Sequence, residues 1–136
     1  MLADFILANK LKARIEERLI RHQNGTKCEL YFAGTAPVLL IHLVHTHLDL
    51  KKVSKLLHKK NLTEASPSEV EDYTGYKKEY LPLVSIYGMQ VVLDPQILEK
   101  DLLFTFIGEA KTLIISSSEV KEFNENALVA DITEER

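Results

Sequence analysis

His42, His45 and His47 lie close together at the end of an apolar run and are the first candidates for chemistry in this chain. Strand alternation sets His45 and His47 on one face and His42 on the other. Two imidazoles, with no cysteine in the run and no carboxylate on their face, fall short of the three or four ligands of a zinc site. No metal or cofactor is therefore expected. Cys28 directly follows Lys27. A nearby cation can lower a thiol pKa, but neighbouring strand residues point to opposite faces, so Cys28 reads as a buried structural cysteine. No Ser-His-Asp set, P-loop or dinucleotide fingerprint is present.

A second candidate is the stretch Glu71 to Asp94, where a capped helix leads through Thr74-Gly75-Tyr76 and Leu81-Pro82-Leu83 into a strand. Glycine and proline at such steps hold a backbone in a set shape. Thr74 adds a hydroxyl able to position water, although plain turn chemistry explains the same residues. A third is the basic run Lys51, Lys52, Lys55, Lys59 and Lys60, which is either a solvated helix face or a grip on phosphates.

The elements that must position these residues follow from periodicity and punctuation. Leu2, Phe5, Ile6, Leu11, Ile15 and Leu19 recur at about helical period and predict an amphipathic helix over 3–22, ended by Asn24-Gly25. Lys27 to Phe32 and Val38 to Val44 read as strands joined by a hairpin at Gly34-Thr35-Ala36-Pro37. The continuous apolar run of Val38 to Ile41 fits a strand buried on both faces. Asp49 caps a second helix, and Ser66-Pro67-Ser68-Glu69 is a capping box with proline in the first turn. That helix should run to about Tyr73. Strands are expected over 90–93, 102–106 and 112–116, a short helix or turn over 95–98, and a last helix capped by Ser118 through about Phe123. The pattern gives an α+β fold with α/β-like features: a mixed, mainly antiparallel sheet flanked by helices.

With 136 residues and no linker or repeat, residues 1–136 form one expected domain. Apolar residues make up 46% and charged residues 27%, a globular balance. One cysteine permits no internal disulfide and points to a reducing, cytoplasmic setting. No apolar run approaches the roughly 20 residues of a membrane span. The net charge of −3 makes any nucleic-acid contact local.

From Lys27 onward the sequence resembles the YbaK/prolyl-tRNA-synthetase-associated editing domain. The resemblance rests on the order of Lys27 opening a strand, His47-Leu48-Asp49-Leu50-Lys51-Lys52, Thr74-Gly75-Tyr76, Pro82, Ile86-Tyr87-Gly88, Val91-Val92-Leu93-Asp94, Phe106-Ile107-Gly108, Ser118-Glu119-Val120 and Val129-Ala130-Asp131-Ile132. It implies a trans-acting aminoacyl-tRNA deacylase that hydrolyses the ester of a mischarged tRNA. Lys27 would be the active-site lysine, with Thr74 and Gly75 beside it. Tyr76, Pro82, Gly108 and His47 would line the substrate pocket, and Lys51, Lys52, Lys55 and Lys59 would meet the tRNA backbone. The implied partners are the aminoacylated 3′ end of tRNA and an aminoacyl-tRNA synthetase. Three departures accompany it. Residues 1–26, read as one helix and a turn, replace a longer N-terminal region. Lys78-Glu79 stand where paired glycines are frequent, and Val84 where a glycine is frequent. They motivate the alternative of a catalytically inactive module that binds tRNA or a protein partner.

Overall fold

A hairpin organises the molecule. Strands β2 (Thr26–Ala33) and β3 (Ala36–Leu43) pair antiparallel across a two-residue turn, Gly34-Thr35, with Gly34 at φ +67°. A turn of this length matches strand twist when its first residue takes positive φ, which glycine does without a Cβ clash. The turn also sets the register, placing Lys27 opposite His42 and Glu29 opposite Leu40. The computed structural model describes residues 1–134.

Around the hairpin a five-stranded sheet forms in the order β4-β2-β3-β5-β8, with β4 at Leu62–Glu64, β5 at Gln90–Leu93 and β8 at Leu128–Val129. β5 and β8 run parallel to β3, and β4 is antiparallel to β2. A second, antiparallel sheet has the order β1-β7-β6, with β1 at Arg14–Glu16, β6 at Leu102–Gly108 and β7 at Lys111–Ser116. The expected strands therefore divide between two sheets. The larger core lies between them and includes Leu30, Leu39, Ile41, Leu93, Leu103, Leu113 and Ile115. Tyr31, Val38 and Leu40 point the other way and pack with Val53 of helix α2 (Leu50–Leu57), Val92 and Ile132. β3 is thus buried on both faces, as its continuous apolar run requires.

The N-terminal region departs from the expected helix over 3–22. Helix α1 covers Leu2–Ala8, and the chain then breaks at Lys10, which takes φ +54°. Leu11, Ala13 and Ile15 also alternate with Lys12, Arg14 and Glu16, so the same apolar residues satisfy a period of two. The strand wins because the edge of β7 needs backbone partners: Ile15 pairs with Leu113, and the Thr112 hydroxyl accepts from the Ile20 N–H and donates to the Arg18 carbonyl.

The helix caps follow local chemistry. The Asp49 side chain accepts from the N–H groups of Lys51 and Lys52 at the start of α2. Helix α3 (Pro67–Thr74) opens on the full Ser66–Glu69 capping box. Helix α4 is Pro95–Leu98, and α5 is Ser117–Glu122. The cap of α5 is Ser116 rather than Ser118, since it is the Ser116 hydroxyl that reaches the Glu119 N–H at 3.1 Å. β3 ends at Leu43, so His45 and His47 lie beyond it, and strand alternation does not govern them. No described helix is long and apolar enough to cross a membrane.

Candidate active site

The two sheets are stitched together where β2 begins. The Asn24 carbonyl accepts from the Phe104 N–H at 3.2 Å, and the Thr105 hydroxyl donates to the Thr26 carbonyl at 3.1 Å. Beside this seam opens a cleft of about 520 Å³. Residues 26–30 of β2 form its floor. Thr105 and Phe106 of β6 stand on one side, with Lys78, Glu79 and Leu81 of the loop after α3 and Glu64 at the end of β4 on the others.

The floor is an unpaired strand edge. β4 pairs with β2 only over Tyr31 to Ala33. The carbonyls of Thr26 and Leu30 both point away from β3, toward Thr105 and the Ala65 N–H respectively. Antiparallel alternation gives Cys28 the same orientation, so its N–H and C=O face the cleft between those contacts. The Cys28 side chain is buried, and burial, reinforced by Glu29, pushes its thiol far above the ordinary range. It stays protonated and is a poor nucleophile.

Lys27 and Glu29 lie on the other face of β2, with Lys27 exposed at the cleft. Glu29 accepts from His42 Nε2 at 2.7 Å, and His42 is 2% exposed. Its Nδ1 meets Thr46 Oγ1 at 2.9 Å, while the Thr46 hydroxyl donates to the Leu43 carbonyl at 2.6 Å. His42 thus bridges Glu29 and Thr46, one ring nitrogen to each. The hydrogen bond from His42 holds the Glu29 carboxyl below its usual range, against the opposing effect of burial, and the charges of His42, Lys27 and Lys78 assist. Tyr31, further along the same face, donates to Glu64 at 3.3 Å; burial and the two glutamates push its phenol up to about 12.

Thr74, Gly75, Tyr76 and Pro82 shape the loop and do not line this cleft. The Thr74 hydroxyl donates to the Val70 carbonyl at 2.7 Å and accepts from the Tyr76 N–H at 3.0 Å, closing the end of α3. Gly75 takes φ +79° as the left-handed cap. The Tyr76 hydroxyl bonds the Ser85 hydroxyl, and Pro82 is buried between Leu81 and Leu83. Asn124 anchors the loop from behind, donating to the Leu83 carbonyl at 2.8 Å. Val84 is 1% exposed, so at this position the loop is fixed by core packing. Lys78 reaches across to Glu64 at 2.5 Å and to the Ala65 carbonyl at 3.1 Å, tethering the loop to β4.

Gly108 ends β6 at a register irregularity, and His47 is exposed with its carbonyl bound to the Glu134 N–H; neither borders the cleft. On α2, Lys51, Lys55 and Lys59 are exposed, whereas Lys52 bonds Asp131 at 2.8 Å and the Thr133 carbonyl at 2.7 Å. The ammonium of Lys52 holds the Asp131 carboxyl below its ordinary range. At the cleft, sequence reasoning did not single out Glu29 or the Cys28 backbone, nor, behind them, Thr46, which bonds Glu29's partner His42. The signal for Glu29 was its spacing of two from Lys27, which puts both on one strand face.

The cleft thus combines an exposed lysine and an open strand edge, with no activated nucleophile among the described residues. The chain belongs to the aminoacyl-tRNA editing domain family, whose model matches residues 9–123. Its fold is shared with the crystal structure of hypothetical protein APE2540, at TM-score 0.85 and 19% identity over 98% of this chain and 99% of that one. It is shared too with a structure described as a candidate trans-editing enzyme for prolyl tRNA synthetase, at TM-score 0.80 and 19% identity over 90% and 87% of the two chains. A candidate signal transduction protein from Marinobacter aquaeolei VT8 carries the fold in a larger chain: TM-score 0.81, 18% identity, 98% of this chain and 30% of that one. At such identities the likeness is one of fold. No curated protein matches the sequence.

Proposed function

We propose that this protein is a trans-acting aminoacyl-tRNA deacylase, which hydrolyses the ester between a wrong amino acid and the tRNA 3′ end. The observation that carries this reading is a cleft lined by Lys27 and by the open backbone edge at Cys28, without an activated nucleophile among the described residues. Ester hydrolysis needs a polarised carbonyl and an oriented water. Lys27 and the Cys28 N–H would bind the carbonyl oxygen as it gains negative charge. Water adds to the carbonyl carbon, and collapse of the tetrahedral intermediate breaks the ester bond, releasing the amino acid and the free ribose hydroxyl. A lysine and a backbone N–H can supply this stabilisation without a covalent intermediate.

In this reading Thr74, Gly75, Tyr76 and Pro82 act through the loop they shape, which carries Lys78 to Leu81 to the cleft wall. Lys51, Lys55 and Lys59 would meet the tRNA backbone. Lys52, engaged with Asp131, would contribute less. An aminoacyl-tRNA synthetase is the partner such an activity would serve. Editing is needed where binding alone discriminates poorly, since one methylene is worth only about 1–3 kcal/mol.

Deacylation assays on a panel of mischarged tRNAs test the proposal. Lys27→Ala should reduce kcat/KM by about 100-fold, comparable to removal of one oxyanion donor. Its melting temperature should stay unchanged, because Lys27 is exposed. Full activity in Lys27→Ala would refute the mechanism. A second reading, a binding module without turnover, is favoured by the Lys78–Glu64 tether, which crosses the cleft wall at the position of the frequent paired glycines. It predicts salt-sensitive tRNA binding and no hydrolysis of any ester.

A further inference from the structure

We propose that the Glu29 carboxylate receives the α-ammonium group of the aminoacyl ester, so that the cleft takes esters of amino acids with a free amino group and rejects their N-acylated counterparts. This rests on the deacylase reading and adds its substrate class. Three carboxylates border the cleft. Both oxygens of Glu64 are engaged, one by the Tyr31 hydroxyl and one by Lys78. Glu79 is exposed on the loop wall, with no hydrogen bond fixing it among the described residues. Glu29 differs from both. Its Oε2 is fixed by buried His42, which is fixed in turn by Thr46. Its Oε1 has no hydrogen bond among the described residues, and its side chain keeps 26% exposure at the cleft.

A carboxylate with one oxygen anchored and the other open is a preorganised acceptor for a cationic donor. The spacing fits an amino acid ester. Lys27 and Glu29 lie two apart on one strand face, about 7 Å between Cα atoms. The carbonyl oxygen and α-nitrogen of the ester lie about 3 Å apart, and hydrogen bonds of about 2.8 Å at each end span the remainder. One molecule can therefore place its carbonyl at Lys27 and its ammonium at Glu29. Acylating the nitrogen removes its charge and adds a carbonyl oxygen, which the Glu29 carboxylate repels.

The test compares initial deacylation rates of an aminoacyl-tRNA and its N-acetylated form, with wild type and Glu29→Gln. Wild type should prefer the free amine by about 10- to 100-fold, the range for a hydrogen bond to a charged group. Glu29→Gln should reduce the preference to about threefold or less by slowing only the free-amine substrate. Equal wild-type rates on the two esters, or an unreduced preference in Glu29→Gln, overturn the proposal while leaving the deacylase reading intact. Absence of hydrolysis of every ester overturns both. The wild-type comparison needs no variant, so misfolding of Glu29→Gln would not remove the test.

Discussion

Of the carboxylates that hydrogen bonds hold in this molecule, Asp94 and Glu29 end differently. Asp94 is 1% exposed and accepts from the Gln96 N–H at 3.0 Å, the Ile132 N–H at 3.2 Å and the Thr133 hydroxyl at 3.2 Å. Both its oxygens are used, and the result is a clamp that ties the C-terminal segment to β5 and α4. Glu29 borders a cleft and uses one oxygen on His42, while its other oxygen has no hydrogen bond among the described residues. A buried polar group with every bond satisfied serves the fold, whereas one with spare capacity facing a cavity is ready for a ligand.

The contrast can be broken by substitution. Asp94→Ala should have the largest effect, about 3 kcal/mol of stability, because it leaves buried donors without an acceptor. Urea denaturation measures it, and a loss below about 1 kcal/mol would show that the clamp is dispensable. His42→Leu should cost less, about 1–2 kcal/mol, since Glu29 can then turn to water in the cleft as Asp94 cannot. That variant also carries a pH signature. The Glu29 carboxyl is held below its ordinary value of 4.5 in the folded protein, so its contribution is present above that pH and lost as pH falls through the lower folded value. The stability gap between wild type and His42→Leu should therefore close below about pH 4.5; a gap constant down to pH 3 would contradict the pairing. Lys78→Met should have the smallest effect, within about 1 kcal/mol, because the pair with Glu64 is partly exposed. Faster hydrogen exchange at residues 78–81 would reveal the lost tether.

Much of the fold was legible locally. The Asp49 and Ser66 caps, the Gly34-Thr35 turn and the apolar run of β3 each carry their own chemistry. The N-terminal region did not read correctly, because its apolar residues fit two periods and a distant partner, β7, decided between them. The short strands β4 and β8 are defined by the neighbours they pair with more than by their own sequence. Lys27 was singled out as a candidate through the family resemblance, and it lines the cleft. Glu29 was within reach of the hairpin register, which sets it beside His42. The open edge at Cys28 was not legible, since it depends on where β4 stops.

The seam beside the cleft bears on how the chain folds. The hydrogen bond from Thr105 to Thr26 joins residues 79 apart in sequence, and closing so long a loop is entropically costly until other contacts bring the ends together. The hairpin and the capped helices can form early from local contacts, but the wall contributed by β6 arrives only when the two sheets dock. The cleft therefore depends on long-range contacts, and the hairpin by itself would carry Lys27 on a strand with no chamber around it.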